Sequence, residues 1–150
     1  HALRLMQRLG LSYSSDCRGR HPFIPVWNAE IVNCPQLPTT LPTLDELIGV
    51  DGIDEHNVHE QLLALTREAP ANGHVFTLHA ELEGMKLLPA FEKLLLGWQA
   101  QGYKLTTLRD LAASLDPYYL PRHEILWGGV PGRSGELLVQ GAEFLSEITA

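Results

Sequence analysis

The sequence ALRLMQRLGLSYSS fills residues 2–15 and gives the clearest indication of the fold. Its first part repeats apolar side chains at helical spacing, which predicts an amphipathic helix. Gly10 follows, and glycine suits the left-handed backbone that often ends a helix. The next residues, 11–15, resemble a short strand. A helix, a glycine and a strand in this order predict a repeating α/β fold.

Later segments extend this pattern. Apolar spacing and capping residues predict four more helices, which cover residues 43–48, 54–67, 88–101 and 107–115. Alternating side chains predict strands at 74–78 and 103–106. Five prolines within 18–42 predict a long ordered loop with at most a short extended piece at 36–37. The tail, 118–150, indicates only turns and short strands.

Composition excludes several classes of protein. The chain has 150 residues, which we interpret as one domain, and a formal net charge of -7, which disfavours general binding to nucleic acid. Its two cysteines are too few for a disulfide scaffold and indicate free thiols in a reducing, cytoplasmic compartment. No apolar run approaches the ~20 residues of a membrane-spanning helix.

Two polar clusters follow predicted strands, where parallel α/β folds place their chemistry. One includes Asp16 and the other includes His79. A histidine beside a carboxylate is a sensible general acid or base, because the carboxylate stabilises the imidazolium and fixes the tautomer. The alternative is a strand-end histidine bonded to a backbone carbonyl. Glu81 and Glu83 alternate, so one of them would line a pocket while the other faces solvent.

Three sequence blocks carry a resemblance to a known family: YSSDCRG at 13–19, PTTLPTLDE at 38–46 and TLHAELEG at 77–84. In this order they resemble the C-terminal portion of the polysaccharide deacetylase (NodB-homology) family. The nearest branch is the formamido-arabinose-phosphoundecaprenol deformylase of lipid A modification. The resemblance runs, with gaps, from about residue 3 to about residue 141.

This resemblance implies a distorted (β/α)7-type barrel with mostly parallel strands. It implies a hydrolase of amide C–N bonds in an N-acylated amino sugar, here a lipid-linked aminoarabinose precursor. His79 matches the acid that protonates the leaving amine, and Asp16 matches the carboxylate that tunes it. Cys17, Arg18 and Gly19 match a loop at the pocket, where we expect Arg18 to face an anionic group.

The resemblance also implies a divalent metal, such as zinc, held by motifs that this sequence does not contain. His56 and His59 are the nearest substitute, but we interpret them as a solvated helix face. We therefore expect no metal to bind this chain alone, and no activity from it alone. The helix at the very start of the chain indicates a portion of a longer protein.

The expected partners are the N-terminal portion of the same barrel or a second copy of the chain, which would cover exposed edges. A lipid-linked substrate implies a cytoplasmic protein, peripheral to the inner membrane. The competing hypothesis is a non-catalytic module that binds a sugar phosphate or acts in interactions.

Overall fold

The structure is a computed structural model that describes residues 2–145. Within that range the α-helices are α1 (Ala2–Arg8), α2 (Leu44–Leu47), α3 (Val58–Leu65), α4 (Leu88–Ala100) and α5 (Leu108–Ala113). The strands are β1 (Ile24–Trp27), β2 (Glu30–Ile31), β3 (Arg122–Gly129) and β4 (Glu136–Glu143). A π-helical turn covers Leu82–Lys86, and a 3-10 turn covers Pro117–Tyr119.

The chain divides into two compact units. The first takes the described residues within 1–40, 106–129 and 135–150, and we call it the sheet unit. The second takes 41–105 and 130–134, and we call it the helical unit. The organisation of 1–150 as a single domain stays a prediction. No helix among the described residues is both long and apolar enough to cross a membrane.

The sheet unit contains one four-stranded sheet in the order β2-β1-β3-β4. β1 and β3 pair in parallel, while the β1–β2 and β3–β4 pairings are antiparallel. Asn28 and Ala29 connect β1 to β2 with positive φ angles of 51° and 61°, as a tight two-residue hairpin requires. One core cluster of this unit contains the buried residues Leu3, Cys17, Phe23, Val32, Cys34 and Ile125.

The helical unit is built on the packing of α3 against α4. Their apolar side chains recur every three or four residues, so each helix presents one stripe to the shared core. The buried members of that core are Leu41, Leu44, Val58, Leu62, Leu87, Ala90, Leu94 and Trp98. The indole N–H of Trp98 donates to Oγ1 of Thr66 at 3.1 Å, which satisfies its one polar atom.

The predicted helices are confirmed, although the one predicted from residue 54 begins only at Val58, and several predicted details of helix ends are also confirmed. Gly10 has a φ of +67° and Gly102 has a φ of +87°, directly after α1 and α4. Thr107 caps α5 by accepting a hydrogen bond from the backbone N–H of Asp110. Local patterns predict these ends well because every interaction that forms them lies within one helical turn.

The three predicted strands at 11–15, 74–78 and 103–106 are wrong, since none of these segments is a strand of the structure. Ser14 makes only an isolated bridge to Gln36. Alternation reports a local preference for extended backbone, whereas a strand also needs a second segment in register with it. The expectation of mostly parallel strands is corrected likewise, because two of the three pairings in the sheet are antiparallel. A mixed α/β fold is confirmed, and the barrel stays a prediction.

The loop prediction for 18–42 is wrong in its centre, where β1 and β2 form a hairpin. Proline weakened the strand prediction because it lacks a backbone N–H. Pro25 nevertheless lies inside β1, where its carbonyl accepts from the N–H of Val32 at 2.9 Å. The tail, in turn, contains the two longest strands, which the glycines at 128–141 had obscured. Residues 146–150 of that tail lie outside the described residues.

Candidate functional site

His79 lies in the helical unit, just before a helical turn. Its Nδ1 atom is buried and lies 3.5 Å from Oδ1 of Asp45, a distance that fits an ion pair but exceeds a good hydrogen bond. The two side chains are 29% and 46% exposed. Since Nδ1 itself is buried, the exposed part of the imidazole side chain lies on its other atoms. The histidine therefore has a carboxylate at one ring nitrogen, as a general acid or base requires.

Glu83 fixes the backbone of His79. Its Oε2 accepts a hydrogen bond from the backbone N–H of His79 at 2.7 Å, and its own N–H donates to the carbonyl of His79 at 2.9 Å. Glu83 is only 1% exposed, whereas Glu81 is exposed. Glu81 thus faces solvent, as expected for one of the two, while the expectation that the other lines a pocket stays a prediction. Both glutamates lie in a helical segment, however, and do not alternate at the end of a strand.

Asp45 is carried by α2, whose position depends on its neighbour Glu46. Oε2 of Glu46 accepts from the backbone N–H of Thr43 at 3.0 Å, which confirms this half of the predicted capping box. Oε1 of the same buried carboxylate pairs with Arg133 Nη1 at 3.1 Å. Gly132, beside that arginine, comes so close that an added Cβ would lie 1.9 Å from the carbonyl oxygen of Glu46.

Sequence analysis did not identify Asp45 as a partner of His79, because Asp45 lies in a separate predicted helix that is distant from His79 along the chain. The Glu46–Arg133 ion pair was also missed. Its members are 87 positions apart, so no spacing rule connects them. The glycines at 132 and 135 indicate a turn beside Arg133, but they do not indicate which group the arginine binds.

The other predicted site segment, 17–19, lies in the sheet unit. The backbone of Arg18 donates to the carbonyl of Leu138 at 2.9 Å and accepts from the N–H of Gln140 at 2.8 Å. On its other side, Gly19 N–H donates to the carbonyl of Thr39 at 3.1 Å. These residues are thus fixed from two sides. A Cβ on Gly19 would lie 2.8 Å from Cβ of Pro38, so the close approach of the proline ring favours glycine here.

Cys17 is a buried, protonated thiol. Its Sγ donates to Oε1 of Gln36 at 3.6 Å. Burial raises the pKa of Cys17 to about 12, and the nearby charge of Asp16 acts in the same direction. Both also raise the pKa of Cys34. Thiolate is the nucleophilic form of cysteine, so neither residue has the character of a nucleophile. Both cysteines are free, as predicted.

Asp16 is exposed and belongs to the sheet unit, whereas His79 belongs to the helical unit. Their pairing therefore stays a prediction. The structure brings Asp45 and Glu83 to His79, and it brings Cys17, Arg18 and Gly19 into one hydrogen-bonded segment.

The described residues do not fit the metal that the resemblance implies. Between residues 2 and 145, no three His, Cys, Asp or Glu side chains lie together in a way that could hold an ion. The interpretation of His56 and His59 as a solvated face is wrong for His59, which is buried with an unpartnered Nδ1. Desolvation lowers the pKa of His59, and the charge of Lys93 adds to this.

Comparison with known proteins gives a consistent result. The chain is 36% identical, over 140 residues, to a probable 4-deoxy-4-formamido-L-arabinose-phosphoundecaprenol deformylase ArnD of Shewanella sediminis (strain HAW-EB3). It is 34% identical, over 137 residues, to the probable deformylase of the same name from Wigglesworthia glossinidia brevipalpis. These alignments cover 93% and 91% of this chain. No protein-family model matches it.

The similarity first defines a class, since both relatives are named as deformylases. The chain is similar over most of its length to one portion of these deformylases, and the predicted resemblance to the formamido-arabinose-phosphoundecaprenol deformylase branch is confirmed. The matched region is 44% and 46% of the two relatives, so the chain spans about half of their length. This coverage is consistent with the expected C-terminal portion.

Proposed function

We propose that the chain is part of a hydrolase that removes the formyl group from a lipid-linked formamido sugar. The observation that carries this proposal is its similarity, over more than 90% of its length, to two relatives named for that reaction. The geometry around His79 supports it, because a histidine with one nitrogen facing a carboxylate suits proton transfer.

The reaction is hydrolysis of an amide. Water adds to the formyl carbon, the bond from that carbon to the sugar nitrogen breaks, and the products are formate and a free amine. The leaving nitrogen must gain a proton as the bond breaks. We assign His79 to that transfer, because the sequence resemblance and the side chain's partial exposure both favour this role.

The remaining predicted residues keep their roles as proposals. Asp16 is proposed to tune the acid, and Arg18 to face the phosphate of the substrate, for which a guanidinium is well suited. Cys17 and Gly19 are proposed to support the substrate-binding loop, because the thiol packs in the interior and the glycine lets neighbouring atoms approach closely. Glu81 is exposed and available to substrate, whereas Glu83 acts through the backbone of His79.

Three further expectations concern the longer protein. The divalent metal would be held by residues outside the described range. The N-terminal portion of the barrel, or a second copy of the chain, would cover the edges of the fold. The cytoplasmic location, peripheral to the inner membrane, follows from the lipid-linked substrate. The chain spans about half of its relatives' length, which supports the expectation of an N-terminal portion.

The test is formate release by the full-length gene product from formamido-arabinose joined through phosphate to a short polyprenol. The expected result is turnover that falls by at least about 100-fold in His79→Gln, the usual contribution of acid–base catalysis. Glu92→Gln is the matched control, since Glu92 is exposed on α4 of the same unit and should leave turnover unchanged.

Absence of formate release from the full-length product would overturn the proposal. Retained binding of the sugar phosphate under those conditions would favour the alternative of a non-catalytic binding module. Turnover with an unimpaired His79→Gln variant would keep the reaction but reject His79 as the proton donor.

A further inference from the structure

The backbone of His79 is held at both of its polar groups. Its N–H donates to the buried carboxylate of Glu83, and its carbonyl accepts from the N–H groups of Leu82 and Glu83, each at 2.9 Å. Only the side-chain torsions of the histidine remain to be fixed. The orientation of the ring must therefore be set by what its nitrogens meet.

The imidazole ring of His79 faces the carboxylate of Asp45. The Nδ1 atom of His79 is buried, and Oδ1 of Asp45 lies 3.5 Å from it. No hydrogen-bond partner reaches this nitrogen among the described residues. An imidazole nitrogen that faces a carboxylate is favoured as a donor, because the carboxylate can only accept.

Asp45 is itself held in place. It lies in α2, directly before Glu46, whose buried carboxylate binds the backbone of Thr43 and the guanidinium of Arg133. Glu46 thus connects α2 both to the residue that precedes its first turn and to the segment at 130–134. The carboxylate of Asp45 is presented from a braced helix, in contrast to a side chain on a mobile loop.

We propose that Asp45 is the positioning residue of His79. It directs the Nδ1 proton toward itself, which fixes the tautomer and leaves Nε2 as the atom that meets the reacting group. When the ring carries two protons, the one on Nε2 is available to the leaving amine. The sequence analysis expected Asp16 to fix the tautomer, whereas the contact at Nδ1 gives this task to Asp45; its catalytic part rests on the proposed function.

The first experiment needs no turnover. Nitrogen-15 chemical shifts of the His79 ring, at a pH where the ring is neutral, report which nitrogen carries the proton. The wild-type chain should show the proton on Nδ1. Asp45→Ala should move it toward Nε2, and Asp45→Asn should preserve part of the Nδ1 form, because an amide oxygen still accepts. Glu92→Ala, an exposed carboxylate of α4, should change nothing.

The second experiment measures deformylation by the full-length gene product. Asp45→Ala should lower kcat at least about tenfold with little change in KM, and Asp45→Asn should recover part of the loss. A proton on Nε2 in the wild type, or an unchanged tautomer in Asp45→Ala, would overturn the positioning role even if formate is released. A shifted tautomer without formate release would support positioning and reject only the proposed reaction.

Discussion

The sheet unit and the helical unit hold their candidate residues by different means. In the sheet unit, residues 17–19 are fixed through backbone hydrogen bonds to residues distant in sequence, which are Thr39, Leu138 and Gln140. In the helical unit, His79 is fixed through the side chains of Asp45 and Glu83. The difference teaches that substitutions should act unequally: the backbone hydrogen bonds of Arg18 do not depend on its side chain, whereas single carboxylates control His79.

The largest expected effects come from the two cores. Phe23 and Leu94 are both 0% exposed, one in each unit. Phe23→Ala should lower the free energy of unfolding by about 4 kcal/mol and Leu94→Ala by about 3 kcal/mol, as buried truncations of these types do. Urea denaturation measures both. Leu96→Ala, 67% exposed on α4, is the control. A loss below about 1 kcal/mol in either core would mean that the unit concerned is not packed as described.

The next effect tests the brace that holds α2. Gly132 and Gly135 have similar φ angles, +78° and +85°, but only Gly132 lies against another backbone. Gly135→Ala should cost about 1 kcal/mol through the left-handed conformation alone. Gly132→Ala should cost about 3 kcal/mol, because the clash with Glu46 adds to that penalty. Equal losses in thermal or urea unfolding would show that the close approach has no energetic role.

The smallest effect concerns pH in the sheet unit. The pKa of Cys17 is raised from 9.0 to about 12, so the unfolded chain releases this proton first as pH rises. The contribution of the buried thiol to the free energy of unfolding is therefore fully present below pH 9 and is lost between pH 9 and about 12. At pH 10 the wild type should have lost about 1 kcal/mol more than Cys17→Ala, relative to pH 8. Parallel pH profiles of the two proteins would contradict the burial of this thiol.

The two units also differ in how far their structure could be predicted from sequence. The helices of the helical unit were predicted, because the stripe on α4 and the capping box at Thr43 are local patterns. The sheet was missed, since Ile24 pairs with Arg122 and nothing near either residue records that partnership. The same reason explains what could be predicted of the site. His79 and Glu83 lie in one short sequence block and were identified from it, but the contact between His79 and Asp45 is visible only in the folded structure.

The π-helical turn at Leu82–Lys86 has a consequence for the length of the chain. The N–H of Leu87 donates to the carbonyl of Leu82, five positions back, at 2.8 Å, so this turn contains more residues than an ordinary α-helical turn. Removing one residue here would restore a regular turn and rotate everything upstream by about 100° around the helix axis. His79 would leave Asp45 while α4 stayed packed. This segment should therefore tolerate substitution of its exposed residues, whereas an insertion or a deletion should disrupt the position of His79.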